Sequence, residues 1–268
     1  MSSRRFRITA LVLTGLLAAA ASACGAAEAL EQARQRGRLL VAIDAAVPEY
    51  KAGTKFRTPE AIDQALAGEL AKGMGLPLTT LESGHGRRKV LPRPDLVLTT
   101  LSATGGVPAG HVAIPTGYAA APMAIMRSDT TIRSWEALKG RKVCVTEGGN
   151  HAGTLAARYG AVEMPQRAPA DSLIALRTGA CDAAVHDDAL LEELLKMPEW
   201  KKFSARLRGG PSGMLAFVVP AGETRTIAAL KKAVNDWSAR RVQQSLLNKA
   251  ARSIAFEVYL DQDVPDCH

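Results

Sequence analysis

The chain has 268 residues, 47% hydrophobic and 22% charged, with a formal net charge of +8 and four cysteines. Its length suffices for one large domain or two lobes of ordinary size. The positive surplus could attract an acidic ligand or an anionic lipid surface, but no basic run is interleaved with aromatics, which argues against nucleic acid.

Arg4, Arg5 and Arg7 open the chain, an uncharged apolar run follows from Ile8 to Ala20, and Ala21, Ser22 and Ala23 lead into Cys24. This is the layout of a secretory signal over residues 1–23, too short and wrongly flanked for a spanning helix. Cys24 has two readings: the lipidated first residue of a bacterial lipoprotein, or a bystander to ordinary cleavage after Ala23 or Ala27. Removing residues 1–23, with three arginines and no acid, takes the net charge from +8 to +5. Export to an oxidising compartment favours a bridge between two of Cys144, Cys181 and Cys267. No Cys-x-x-Cys pair or histidine spacing suggests zinc.

Residues 24–37 read as a tether. Leu39 to Ile43 is a short apolar run between Gly37 and Pro48 and predicts a buried strand. Ile62, Leu66 and Leu70 recur at helical spacing until Gly73 and Gly75; Pro77 to Leu81 and Asp95 to Leu98 predict two further strands. Strand, helix, strand in that order implies parallel pairing under helices. A second unit begins near Pro122, with an apolar run at Met123–Met126, a short helix at Trp135–Leu138 and a strand at Lys142–Val145. Helices at Gly153–Tyr159 and Ser172–Thr178 and a strand at Asp182–Val185 complete it. Ala216 to Val219 returns to a strand, followed by a long helix from about Thr226. The α/β alternation thus runs twice, giving lobe 1 from 38–121 and 215–268 and lobe 2 from 122–214. Ligand sites lie beyond strand ends and between domains, which directs attention to the loops after Leu98, Val145 and Val185.

Two stretches carry a family resemblance. Ser134-Trp135-Glu136-Ala137-Leu138-Lys139-Gly140-Arg141-Lys142-Val143-Cys144-Val145, and then Ser172 through Ala180-Cys181-Asp182-Ala183-Ala184-Val185-His186-Asp187, closely resemble the second lobe of the extracellular solute-binding proteins of family 3, which serve amino-acid ABC transporters. Arg36 to Ile43 is similar to that family's opening strand, and Asp95 to Thr104 to its first-lobe ligand strand and loop. The resemblance implies an α/β, two-lobed periplasmic-binding-protein type II fold, each lobe a mostly parallel sheet flanked by helices. It also implies a bridge between Cys144 and Cys181.

The same resemblance assigns ligand roles. Thr100, Ser102 and Thr104 would hold a carboxylate through hydroxyls and free backbone N–H groups, although such residues equally serve turns. Val107 stands where the family places an arginine for the ligand's carboxylate, so the bidentate contact is missing. Arg88, within the basic run Arg87-Arg88-Lys89, could compensate or simply be solvated. Asp187 would meet a ligand's ammonium group, with Asp188 at the surface and His186 turned to the opposite side. Gly148, Gly149 and Asn150 replace the family's Gly-Thr-Thr at a helix start that favours an anionic group. His151 reads as a cap or surface residue, and Tyr50 and Tyr118 could flank the ligand or serve the core.

The function implied is capture of a small polar ligand, an amino acid or related organic acid, for the membrane permease of an ABC transporter. Such a protein would be periplasmic, monomeric, free of cofactor, and attached to a membrane only through a lipid on Cys24. No nucleophile, metal or phosphate-loop motif stands out, so an enzyme is not expected. Two alternatives remain on the same scaffold. One is a cyclohexadienyl-dehydratase-like enzyme using Glu147 or His151. The other is an accessory protein of a quinoprotein methanol dehydrogenase, to whose relatives Gly105–Gly110 bears a short likeness.

Overall fold

The computed structural model describes residues 27–44, 52–60, 62–82, 92–102, 105–210 and 212–261. The part of the expected tether it covers folds as helix α1 (Ala29–Arg36), which buries Leu30 and Ala33 and ends at a left-handed Gly37. β1 (Leu39–Ile43) follows, buried at all five positions, as suits a central strand covered on both faces. Next come α2 (Ile62–Met74), β2 (Leu78–Glu82), β3 (Leu96–Leu101) and the long β4 (His111–Ala120).

Ala121 then carries the chain into lobe 2. This comprises β5 (Pro122–Met126), β6 (Lys142–Thr146), α3 (Thr154–Tyr159), β7 (Val162–Gln166), α4 (Pro169–Thr178), β8 (Ala183–Asp187), α5 (Asp188–Leu194) and β9 (Ala205–Arg208). The helix expected at Trp135–Leu138 is a single 3-10 turn over Glu136–Leu138. The chain returns to lobe 1 as β10 (Gly213–Pro220). It ends in two helices, α6 (Thr224–Ala239) and α7 (Val242–Asp261), separated where Arg241 takes a φ of 51°.

Each lobe is built on a five-stranded sheet, β2-β1-β3-β10-β4 in lobe 1 and β7-β6-β8-β5-β9 in lobe 2. In lobe 1, β1 pairs parallel with β2 and β3, while β10 lies antiparallel between β3 and β4. In lobe 2, β6 pairs parallel with β7 and β8, while β5 lies antiparallel between β8 and β9. The reversed strands, β5 and β10, are the ones that enter a lobe directly from the other. Crossing strands therefore impose the departure from a wholly parallel sheet.

The second crossing needs glycine. Gly210 has a φ of 94°, and a Cβ there would stand 3.2 Å from Pro122 Cγ at the first crossing. The two crossings pack so closely that a side chain would push them apart. α7 is a third link. Its first residue, Val242, sits in the lobe 1 core, whereas Ala251, Ile254, Ala255 and Val258 pack with Leu173, Leu190 and Trp200 of lobe 2. Much of the C-terminal helix thus belongs to the core opposite the one that its neighbour α6 covers.

Cys144 on β6 and Cys181 just before β8 are joined by a disulfide, their Cα atoms 5.9 Å apart and 37 positions apart in sequence. Both lie in the lobe 2 core. Closing a loop of that length removes unfolded-state entropy worth roughly 3–4 kcal/mol on the chain-entropy model. Urea unfolding of the protein with both cysteines replaced by alanine is expected to show a loss of about that size. A loss well below about 1 kcal/mol would mean the bridge does not constrain the unfolded chain.

Candidate functional site

Asp187 ends β8, pairs in register with Pro122 of β5, and precedes α5, so it stands beside the first interlobe crossing. Its carboxylate is buried and satisfied. Tyr118 from β4 donates its hydroxyl to Oδ2 at 2.7 Å, and His151 Nε2 lies 2.9 Å from Oδ1. The backbone N–H of Asp187 donates to Glu60 Oε1 at 2.9 Å.

Glu60 belongs to the lobe 1 segment leading into α2, yet its partners are in lobe 2. Oε2 lies 2.8 Å from His186 Nδ1 and accepts a bond from Thr146 Oγ1 at 3.1 Å. His186 in turn places Nε2 2.9 Å from Ser172 Oγ. A neutral imidazole with Nδ1 protonated would accept the serine proton at Nε2, and an imidazolium would donate from both nitrogens. A carboxylate of one lobe is thus buried in the other, held by an imidazole, a hydroxyl and a backbone N–H. The same segment supplies further ties: Arg57 pairs with Asp171 of α4 at 2.7 Å and with Asp261 of α7, and Thr58 donates to Glu257 of α7.

Burial shapes the titration of this cluster. For Glu60, burial pushes the pKa up, but the charge and hydrogen bond of His186, the charge of His151 and the Asp187 N–H hold it below the ordinary carboxylate value. For His151, burial pushes the pKa down, but the Asp187 carboxylate, with Glu60 and Asp188 behind it, holds it above the ordinary imidazole value. Tyr118 is kept a neutral donor, because burial and then the charge of Asp187 push its pKa well up.

The sequence-derived residues have different fates. Asp187 and Tyr118 come together through a direct hydrogen bond. His151, read as a cap or surface residue, is largely buried and places Nε2 2.9 Å from the Asp187 carboxylate. Asp188 is not a surface residue; it is half-buried and accepts the Ala121 and Ala189 N–H groups, fastening α5 to the crossing. Gly148 and Asn150 are exposed in the turn after β6, well before α3 starts. The helix start expected to welcome an anion is already filled: Glu163 accepts the N–H groups of Gly153, Leu155 and Ala156 at 2.6, 2.7 and 2.9 Å. At the end of β3, the N–H of Thr100 and the hydroxyl of Thr99 both donate to Asp44. Ser102 accepts the Gly105 N–H in a turn. Val107 is exposed. Tyr50, Arg88, Thr104 and Cys24 lie outside the described residues.

A cavity of about 410 Å³ adjoins the cluster. Ile62, Leu190, Leu246, Leu247 and Ala250 provide apolar wall from α2, α5 and α7, and Glu60, Tyr118 and Asp187 contribute to its polar lining. Thr100 and Ser102 do not line it. Sequence reasoning missed Glu60, because it lies in an irregular stretch with no motif. The buried pair Ser172–His186 left no signal beyond polar residues in otherwise apolar elements.

The chain Ser172–His186–Glu60 has the order of a nucleophile relay, but Ser172 and His186 are wholly buried, so no substrate reaches the hydroxyl in this arrangement. The relay serves to anchor Glu60. Among the described residues no group of three or more histidine, cysteine, aspartate or glutamate side chains is placed to hold a metal ion, and no helix is long and apolar enough to cross a membrane.

Two α/β lobes joined by paired crossings, with a buried carboxylate at their junction, define the two-lobed periplasmic-binding-protein fold that the sequence resemblance implied. Solved structures of that fold are similar to this chain. An ArgBP mutant from T. maritima aligns with 82% of this chain and 98% of its own, at 18% identity and a TM-score of 0.54. An ancestral cationic amino acid solute binding protein aligns over 82% and 98%, at 19% identity and 0.55. An amino acid ABC transporter substrate-binding protein from Streptococcus pneumoniae, bound to L-arginine, aligns over 84% and 98%, at 17% identity and 0.54. No protein-family model and no curated protein sequence matches the chain.

Two outcomes follow from the cluster. Glu60→Ala strands the His186 imidazole and the Asp187 N–H, and urea unfolding is expected to show a loss of about 3 kcal/mol or more. The pH dependence has two limbs. His151, raised from 6.5, contributes stability that is full below that value and is lost as pH rises through the folded pKa. Glu60, lowered from 4.5, contributes stability that is full above that value and is lost as pH falls through the folded pKa. The contact is therefore strongest between pH 4.5 and 6.5. His151→Gln should flatten the alkaline limb in unfolding curves recorded across pH, and, by removing one of the charges that lower the Glu60 pKa, weaken the acid limb to a smaller extent.

Proposed function

We propose that this chain is an exported solute-binding protein that captures a small polar ligand carrying an ammonium group at the lobe junction and delivers it to the membrane permease of an ABC transporter. In this reading residues 1–23 are a signal and the mature protein is a periplasmic monomer, tethered through Cys24 if that residue is lipidated. The lobes are 38–121 with 215–268, and 122–214, and they close around the ligand by rotation about their crossings. The observation that carries the reading is the buried Asp187 carboxylate, placed where strand ends of the two lobes meet. A buried anion of this kind needs a cationic partner. Among the described residues the Asp187 carboxylate is held by a phenol and an imidazole, both of which a ligand's ammonium can supplement or replace. The fold likeness to a protein bound to L-arginine and to a cationic amino acid binder supports a cationic ligand.

A thermal-shift screen of amino acids, organic acids and polyamines tests this. A true ligand at a hundredfold excess over its Kd is expected to add about 2.7 kcal/mol of stability. Asp187→Ala should abolish the shift for amine ligands. An unchanged affinity in that variant would remove the assigned role of Asp187.

A further inference from the structure

The filled anion sites narrow the chemistry of the ligand. An α-amino acid needs two opposed anchors, one for its ammonium and one for its carboxylate. Two of the positions from which the sequence offered a carboxylate anchor carry a carboxylate of the protein itself; Thr104 and Arg88 lie outside the described residues. Glu163 takes the N–H groups at the start of α3, and Asp44 takes the Thr99 hydroxyl and the Thr100 N–H. The junction is also rich in negative charge. Glu60, Asp187 and Asp188 converge there, against the imidazoles of His151 and His186. A guest carboxylate placed at that cluster would enter a field of like charge.

The adjoining cavity has the opposite character. Its volume of about 410 Å³ lies within the usual range for small-molecule sites, and its walls from α2, α5 and α7 are largely apolar. Two of its lining residues, Glu60 and Asp187, are the cluster's carboxylates, and Tyr118 lies between them as a hydrogen-bonding group. Lys249 also lines it, but is an exposed residue whose flexible stem lets the ammonium stay in water.

We propose that this site takes a small amine with a hydrocarbon body and no carboxylate, its ammonium seated at Glu60 and Asp187 and its body filling the cavity between α2, α5 and α7. The inference rests on the solute-binding reading above and names the ligand class of that same site. It replaces the expected amino acid with a monoamine, and places contact on α2, α5 and the C-terminal helix rather than on the loop after β3.

Calorimetric titration of the disulfide-intact protein at neutral pH with phenethylamine, phenethyl alcohol and L-phenylalanine tests it, since the three share one apolar body. Phenethylamine is expected to bind at least about tenfold more tightly than either of the others. Ala65→Leu on α2 and Leu247→Trp on α7, which add bulk at the cavity lining, should each weaken phenethylamine at least about tenfold. If both variants lose the wild-type unfolding midpoint, hydrogen exchange of the wild-type protein replaces them, with phenethylamine expected to protect amides of residues 246–253. L-phenylalanine binding as tightly as the amine, amine binding unchanged in a folded cavity variant, or no protection of those amides would overturn the proposal. If no member of this trio binds while an amino acid, organic acid or polyamine from the wider screen does, the ligand class is wrong and the solute-binding reading stands. If nothing binds in either set, both fall.

Discussion

The arrangement depends on one carboxylate crossing from one lobe into the other. Glu60 leaves lobe 1 and is received in lobe 2 by His186, Thr146 and the backbone of Asp187. A buried carboxylate with no partners would be intolerable, so each of those donors is a condition for the lobes to meet as they do. The contact also orders its surroundings. By binding the Asp187 N–H it fixes the end of β8, and that end aims the Asp187 side chain at Tyr118 and His151. Charge burial at the junction and the shape of the candidate site are thus one problem with one solution.

The fold was largely legible in the sequence because buried strands between turn residues leave strong patterns. Leu39–Ile43 and Ala183–Asp187 are buried at every position; the apolar pattern marks the first in full and the second as Asp182–Val185, two residues short of its end. β4 was not read, since its residues alternate between exposed and buried without a strong apolar signal and Pro115 and Gly117 interrupt it. The single long C-terminal helix became two because nothing in Ala239-Arg240-Arg241-Val242 announces a break by composition. Arg241 adopts a backbone conformation that glycine or asparagine would ordinarily mark.

The site was legible only in part. Asp187 could be found because it follows a recognisable strand within a recognisable motif. Glu60 could not, because its role exists only once a distant lobe folds against it. His151 shows the same limit: as a lone histidine near a helix it gave no hint that a carboxylate 36 positions away would hold it. The departures from the family pattern at Val107 and at Gly148–Asn150 pointed to a weakened carboxylate anchor. At the loops concerned, Glu163 accepts the N–H groups at the start of α3 and Asp44 accepts from Thr99 and Thr100.

The helix that spans both cores has a mechanical consequence. α7 is 20 residues long, or about 30 Å at the helical rise, and its two ends are seated in different hydrophobic clusters. A clamshell swing would have to bend this rod or unseat Ile254 and Val258 from their pocket. Torsion around the rod's long axis leaves both seats intact. Any rotation of the lobes about their crossings therefore has to be one that this stiff spar can follow.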